Sequence, residues 1–187
     1  MDHRFPEIET PRLLLTQLKS EDVSTIVHFA SDEKISKTTL NLPHPYSEKD
    51  AIFWINLANQ GFERGTDLIF GIKKRPDLNF IGGIGLRIER NFNRAEIGYW
   101  IAVPFWNNGF ATEATKAIIS YGFQHLNLNK FTSSHFAINP ASGKVMSKCG
   151  MVQEGELKSH ILKGDTYHDL ILYGLTKASY NSFNLDS

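Results

Sequence analysis

The residues with the most chemical consequence form one stretch, Glu96-Ile97-Gly98-Tyr99-Trp100-Ile101-Ala102-Val103-Pro104-Phe105-Trp106-Asn107-Asn108-Gly109-Phe110-Ala111-Thr112-Glu113-Ala114. An apolar strand runs into a loop of small residues and then into a helix N-terminus. The first N–H groups of such a helix have no partner within it, and its dipole adds partial positive charge beside them. The resulting concavity suits a diphosphate without help from a lysine. Gly109 and Ala111 let the backbone approach the phosphate oxygens closely. The plainer reading of the same spacing is an ordinary strand-to-helix turn.

Other chemistry is poorly supplied. No GxxxxGK[ST] loop is present, which argues against a nucleotide hydrolase. Gly83-Ile84-Gly85 is followed by Ile88 where a dinucleotide fingerprint needs glycine, so Gly82, Gly83 and Gly85 read as a strand bulge or a close backbone approach. Cys149 lacks a positioned histidine partner and reads as a small buried residue rather than a nucleophile. The seven histidines show no ligand spacing, so no metal is expected.

Other elements must hold the junction in place. Residues 12–18, after Pro11, read as a first strand. Ser20-Glu21-Asp22 offers an N-cap and first-turn acids to a helix through Ala30. Ser47-Glu48-Lys49-Asp50 resembles a capping box, Ile52, Ile55, Ala58 and Phe62 follow at helical spacing, and Gly61 and Gly65 suit the exit. The period then shortens. Residues 67–73, 80–89 and 94–103 are strand-like, with connectors short enough for an antiparallel meander. Residues 112–126 form a helix with Ala114, Ala117, Ile118, Tyr121 and Leu126 on its apolar face. A strand over 130–138, a helix over 140–148 ended by Gly150, and strands over 151–162 and 169–175 complete the chain. This order specifies a single domain over 1–187: an α/β (α+β) fold, with one mixed sheet and helices on its faces.

Composition agrees. The chain has 187 residues, enough to bury a core as one domain, and 41% hydrophobic residues, too many for a disordered chain. No window approaches the roughly 20 uninterrupted apolar residues of a membrane span. The N-terminus lacks the apolar region of a signal peptide, so a cytoplasmic protein is expected, with no membrane partner. Twenty basic residues balance twenty acidic ones, and the basic residues are scattered, which disfavours nucleic acid as a partner.

Several runs together resemble a known family. Ala95-Glu96-Ile97-Gly98-Tyr99-Trp100-Ile101, Trp106-x-x-Gly109-Phe110-Ala111-Thr112-Glu113-Ala114, Asn139-x-x-Ser142 and Lys148-x-Gly150 look like the GNAT N-acetyltransferases. The opening Glu9-Thr10-Pro11-Arg12-Leu13-Leu14-Leu15 and the closing Glu154-Gly155-Glu156-Leu157-Lys158, Gly164, Tyr167-His168-Asp169 and Tyr173 resemble the branch that acetylates N-termini of ribosomal proteins.

The resemblance implies a mostly antiparallel sheet of about seven strands with about four helices. It also implies a V-shaped splay between the fourth strand, ending near Val103, and the fifth, 130–138. It implies direct transfer of acetyl from acetyl-CoA to a primary amine. The pantetheine arm would pair with backbone near Ile101, Ala102 and Val103, the pyrophosphate would lie on amides of Asn108, Gly109, Phe110, Ala111 and Thr112, and Asn139 and Ser142 would touch the cofactor. An N–H near Ile101 would polarise the thioester carbonyl. Trp106 departs from the general pattern, and Asn107 stands where the branch commonly has glycine. Met146 stands where many members carry the tyrosine that protonates the leaving thiolate.

The chemistry needs a base for the ammonium and an acid for the thiolate. Glu96 is the first candidate base, with a strand acid paired across the sheet as the plainer reading. His160 and His168 lie on strands that border the acceptor site in this family, and His160 is carried as a catalytic candidate. The resemblance to that branch implies Ser142 as acid in place of the missing tyrosine, against a helix cap or a hydrogen bond to CoA as the plainer reading. Trp54, Phe53 and Phe62 are core or acceptor-channel wall, and residues 40–46 form part of the acceptor rim. The expected acceptor is a protein N-terminal α-amine. The alternatives are a small-molecule amine (amino acid, polyamine or aminoglycoside) and a CoA-binding sensor without turnover, which the Met146 departure supports. A monomer or homodimer is expected.

Overall fold

The computed structural model describes residues 4–185, so 1–3 and 186–187 of the expected domain lie outside the described residues. The strands are β1 (Ile8–Glu9), β2 (Leu13–Gln17), β3 (Asp67–Lys74), β4 (Asn79–Glu89), β5 (Arg94–Ile101), β6 (Lys130–Phe136), β7 (Val152–Lys163) and β8 (Thr166–Thr176). The helices are α1 (Val23–Ala30), α2 (Glu33–Thr38), α3 (Glu48–Arg64), α4 (Phe110–His125), α5 (Pro140–Lys148) and α6 (Lys177–Leu185). The strands form one sheet in the order β1-β2-β3-β4-β5-β6-β8-β7, antiparallel except between β5 and β6.

The described chain thus has eight strands and six helices, where seven and four were expected. The additional elements are short or weakly patterned. β1 has two residues, and α2 has six, with Asp32 accepting the Lys34 N–H at 2.9 Å as its cap. α6 docks through Tyr180 on Phe123, at 4.9 Å between ring centroids.

Several local expectations hold. The Ser47 N–H donates to the Asp50 carboxylate at 2.8 Å, which is one arm of the capping box. Gly65 and Gly150 follow their helices with φ of +69° and +84°, backbone that L side chains rarely adopt. The register between β3 and β4 shifts at Ile72/Lys73, producing a bulge beside the glycines. A Cβ on Gly82 would lie 2.2 Å from the Trp100 carbonyl oxygen, so only glycine allows β4 and β5 to pair there. At the start of α1 the cap differs from the expectation. Asp22 rather than Ser20 takes the Lys19 N–H at 3.0 Å, and its buried carboxylate pairs with Lys73 at 3.0 Å.

The alternation of β5 divides the molecule. Ala95, Ile97 and Ile101 enter the larger core with α4 and α5, whereas Trp100 and Ala102 enter a second core with α1, α2 and α3. β5 and β6 pair only from Arg94↔Lys130 to Ile97↔Ser133. Beyond that point β5 follows β4 to Ile101, and β6 follows β8 to Phe136. The sheet therefore opens between its fifth and sixth strands. The displacement from fourth and fifth comes only from β1.

Candidate functional site

The loop after β5 is shaped by three local devices. Pro104 sits in a 3-10 turn, Val103–Phe105, which ends the strand at Ile101 rather than at Val103. The Trp106 indole Nε1 donates to the Ile101 carbonyl at 2.6 Å, folding the loop back on the strand. Asn107 and Gly109 then take φ of +60° and +80°, so asparagine does serve where the resembling branch carries glycine. α4 consequently starts at Phe110, two residues earlier than the apolar pattern predicts.

Gly109 provides no side-chain cap, and the Glu113 N–H bonds back to the Gly109 carbonyl at 3.0 Å. The Phe110, Ala111 and Thr112 N–H groups precede the first such bond, so the helix itself gives them no acceptor. Their partial positive charge is joined by a full one. The half-exposed Arg12 guanidinium donates to the Asn108 carbonyl at 3.0 Å and lies over the Phe110 ring at 4.7 Å. Glu113 accepts from Thr10 Oγ1 (2.6 Å), the Arg12 N–H (2.9 Å) and Arg12 Nε (2.7 Å). Burial pulls its pKa up, but those hydrogen bonds and the Arg12 charge outweigh it and hold the carboxyl below its ordinary range. Glu113 is a structural anchor of the turn.

The opening between β5 and β6 has its own lining. Ser133 Oγ donates to the Ile97 carbonyl at 2.8 Å, as the last link before the strands part. The Ala102 N–H is spent on the Ile81 carbonyl of β4 at 2.8 Å. Because strand backbone alternates, Tyr99 and Ile101 turn their main-chain groups toward the opening as Ile97 does, while Ala102 turns away. Of the three expected pantetheine partners, Ile101 is therefore best directed, although its carbonyl is already held by Trp106. Val103 accepts the Trp106 N–H at 3.2 Å within its turn.

α5 meets this opening at its first turn. Ser142 Oγ lies 2.8 Å from the Tyr99 hydroxyl, which also donates to the Ser142 carbonyl at 3.0 Å. Asn139 precedes α5 and donates through Nδ2 to the Thr38 carbonyl at 3.4 Å, tying α5 to the end of α2. Lys163 Nζ donates to the carbonyls of Ser36, Thr39 and Leu42, which joins the β7–β8 hairpin to the loop expected as acceptor rim. Met146 is 1% exposed and belongs to the core, so no hydroxyl reaches the opening from that position.

The remaining candidates are spread out. Glu96 is exposed, two residues before Gly98 on the face that carries Trp100, and forms no ion pair among the described residues. The cross-sheet pair of its plainer reading is thus not made. His160 is exposed within 158–160, a bulge held by Asp169, which accepts the Ser159 N–H at 2.7 Å and Lys158 Nζ at 3.0 Å. No hydrogen bond joins it to Ser142. His168 stacks on Phe136. Phe53 is 68% exposed, whereas Trp54 packs on Trp100 and Phe62 on Phe5. Burial pushes the Cys149 thiol up to about 12, and its Sγ lies 3.6 Å from the Thr112 carbonyl.

Three residues escape sequence reasoning. Tyr99 stands within the quoted motif but looks like any alternating strand residue until α5 is set against it. Arg12 is separated from Glu113 by 101 positions. His135 is buried, and its Nδ1 faces the Phe136 carbonyl at 2.8 Å. A carbonyl only accepts, so Nδ1 donates, and Nε2 lies toward Gly143, where a Cβ would sit 2.6 Å away. Only its histidine identity could have marked it.

Among the described residues no helix is long and apolar enough to cross a membrane. The model of the acetyltransferase (GNAT) domain matches residues 12–152. The uncharacterized N-acetyltransferase YoaA of Bacillus subtilis is 32% identical over 174 residues, covering 92% of this chain and 98% of that protein. The ribosomal-protein-serine acetyltransferase of Escherichia coli is 35% identical over 112 residues, covering 59% of this chain and 62% of that protein. The crystal structure of spermidine N-acetyltransferase from Vibrio cholerae, in complex with CoA and spermine, superposes with a TM-score of 0.78 at 24% identity, covering 92% of this chain and 99% of that one.

Proposed function

The chain belongs to the GNAT acetyltransferase family, and from that premise we propose that it transfers acetyl from acetyl-CoA directly to a primary amine, with a protein N-terminal α-amine as acceptor. The observation that carries this reading is the parting of β5 and β6 beyond Ile97 and Ser133, next to three helix amides without a partner in their helix. Among the described residues, the sheet opens beside the helix that Gly109 initiates.

The residues divide the work. Asn108, Gly109, Phe110, Ala111 and Thr112 present main-chain donors to the diphosphate of CoA, and Arg12 supports them with a cation. The free edge of β5 at Tyr99 and Ile101 offers the pantetheine arm a strand to pair with. The Ile101 N–H, directed into the opening, stabilises negative charge as it develops on the thioester oxygen. Glu96 takes the proton of the attacking ammonium from the Trp100 face, with His160 as the second candidate. Ser142 returns a proton to the departing thiolate, and Asn139 holds α5 in position for it.

The E. coli relative supports a ribosomal-protein α-amine as acceptor, while the V. cholerae structure supports a polyamine. Met146 supports a third reading, binding without turnover. One experiment separates them: thiol release from acetyl-CoA across N-terminal peptides of ribosomal proteins, polyamines and amino acids, alongside CoA calorimetry. Heat with CoA and release with a peptide are expected. Release only with a small amine replaces the acceptor, heat without any release makes the protein a sensor, and no heat overturns the reading.

A further inference from the structure

Tyr99 is part-buried, its hydroxyl oxygen bonds only to Ser142 among the described residues, and it reaches across the opening from β5 to α5. Tyr99 owns one proton. A main-chain carbonyl can only accept, so when Tyr99 donates to the Ser142 carbonyl, the serine hydroxyl donates to the phenol oxygen. A single rotation of the phenolic hydrogen onto Ser142 Oγ reverses the pair and releases the serine proton toward the opening. Both arrangements satisfy the part-buried hydroxyls, and they differ in where the serine proton points. We infer that Tyr99 is the positioning residue that makes Ser142 a competent acid, standing in from β5 for the tyrosine that α5 lacks at Met146. The inference rests on the proposed acid role of Ser142.

In the step so assigned, the acceptor nitrogen forms the C–N bond, the C–S bond of the thioester breaks, and the sulfur takes the Ser142 hydroxyl proton. The serine oxygen is refilled by the proton that the acceptor nitrogen sheds, carried through water. Tyr99 keeps its own proton and donates it to the serine oxygen while that oxygen is short of one. Burial suits this role. It raises the phenol well above its ordinary pKa, more than the bond to Ser142 lowers it, so Tyr99 acts as a hydrogen-bond donor and not as a second acid. A serine with no such donor would leave the alkoxide without this hydrogen bond.

The test is a thiol-release cycle on Tyr99→Phe, Ser142→Ala and the double variant, with CoA affinity from calorimetry and folding from thermal denaturation. Ser142→Ala is expected to lower kcat on the order of 100-fold, and Tyr99→Phe about tenfold, while acceptor KM and CoA Kd stay within about twofold. The double variant should be no slower than Ser142→Ala, because Tyr99 acts through the serine. If Ser142→Ala is impaired but Tyr99→Phe turns over like wild type, or the two losses multiply, the role of Tyr99 is overturned and the acid role of Ser142 stands. Full kcat in Ser142→Ala overturns both. Should Tyr99→Phe fail to fold, 3-fluorotyrosine at position 99 keeps the ring and strengthens the donor. It should then change kcat severalfold with acceptor KM and CoA Kd unmoved, and only while Ser142 is present; an unchanged kcat overturns the inference.

Discussion

At the scale of single residues, charge placement decides what each group can do. Glu113 stands at the N-terminus of α4, where three donors from Thr10 and Arg12 consume its oxygens. Its native pKa is depressed, so the stability it adds is full above the unfolded value of roughly 4.3 and is lost as pH falls through the lower native value. Glu113→Gln is therefore expected to lower the unfolding free energy by about 1 kcal/mol at pH 7, with the gap to wild type closing near pH 3 in urea titrations. A gap that stays constant across that range would show that the carboxylate charge adds nothing.

At the scale of elements, the junction of β5 and α4 depends on backbone that few residues tolerate. Gly109 has φ +80°, and a Cβ there would meet only the far end of Arg12 at 3.4 Å. Conformation rather than crowding is thus the reason for glycine. Gly109→Ala should cost about 1 kcal/mol of stability through left-handed strain alone. It should also weaken CoA binding by more than the stability loss accounts for, since the amides of α4 would be re-aimed. Calorimetry with CoA beside a melting curve checks this, and unchanged CoA affinity would separate the loop from the diphosphate. The start of α4 was legible as a strand–loop–helix pattern because Gly109 and the apolar face announce it. Its first residue was not, because Phe110 reads as loop until the left-handed glycine is known.

At the scale of the molecule, two half-sheets share a short parallel seam of four residue pairs, closed at one end by the Ser133–Ile97 bond. Ser133 is 3% exposed, so Ser133→Ala leaves the Ile97 carbonyl without that donor in a buried place, which costs about 1–3 kcal/mol. Amide exchange around Ile97 and Ser133 should accelerate in this variant more than exchange within β3 and β4. Equal exchange in both regions would mean that the seam draws its strength from packing. The two cores are separate for a different reason: alternate residues of β5 feed opposite faces, and the sheet itself stands between them.

The sequence alone determined the period of each element, the glycines that end α3 and α5, the small-residue turn before α4, and the absence of the usual tyrosine at Met146. These are local properties, written in side-chain size and backbone freedom over a few neighbouring positions. Tertiary structure alone decided that the strands part after Ile97, that Arg12 sits beside the turn, that Lys163 ties the hairpin to the rim, and that Tyr99 meets Ser142. Each of those pairings joins residues distant along the chain. A hydrogen bond depends on angstroms in space, which no spacing in sequence encodes until the sheet has brought the segments together.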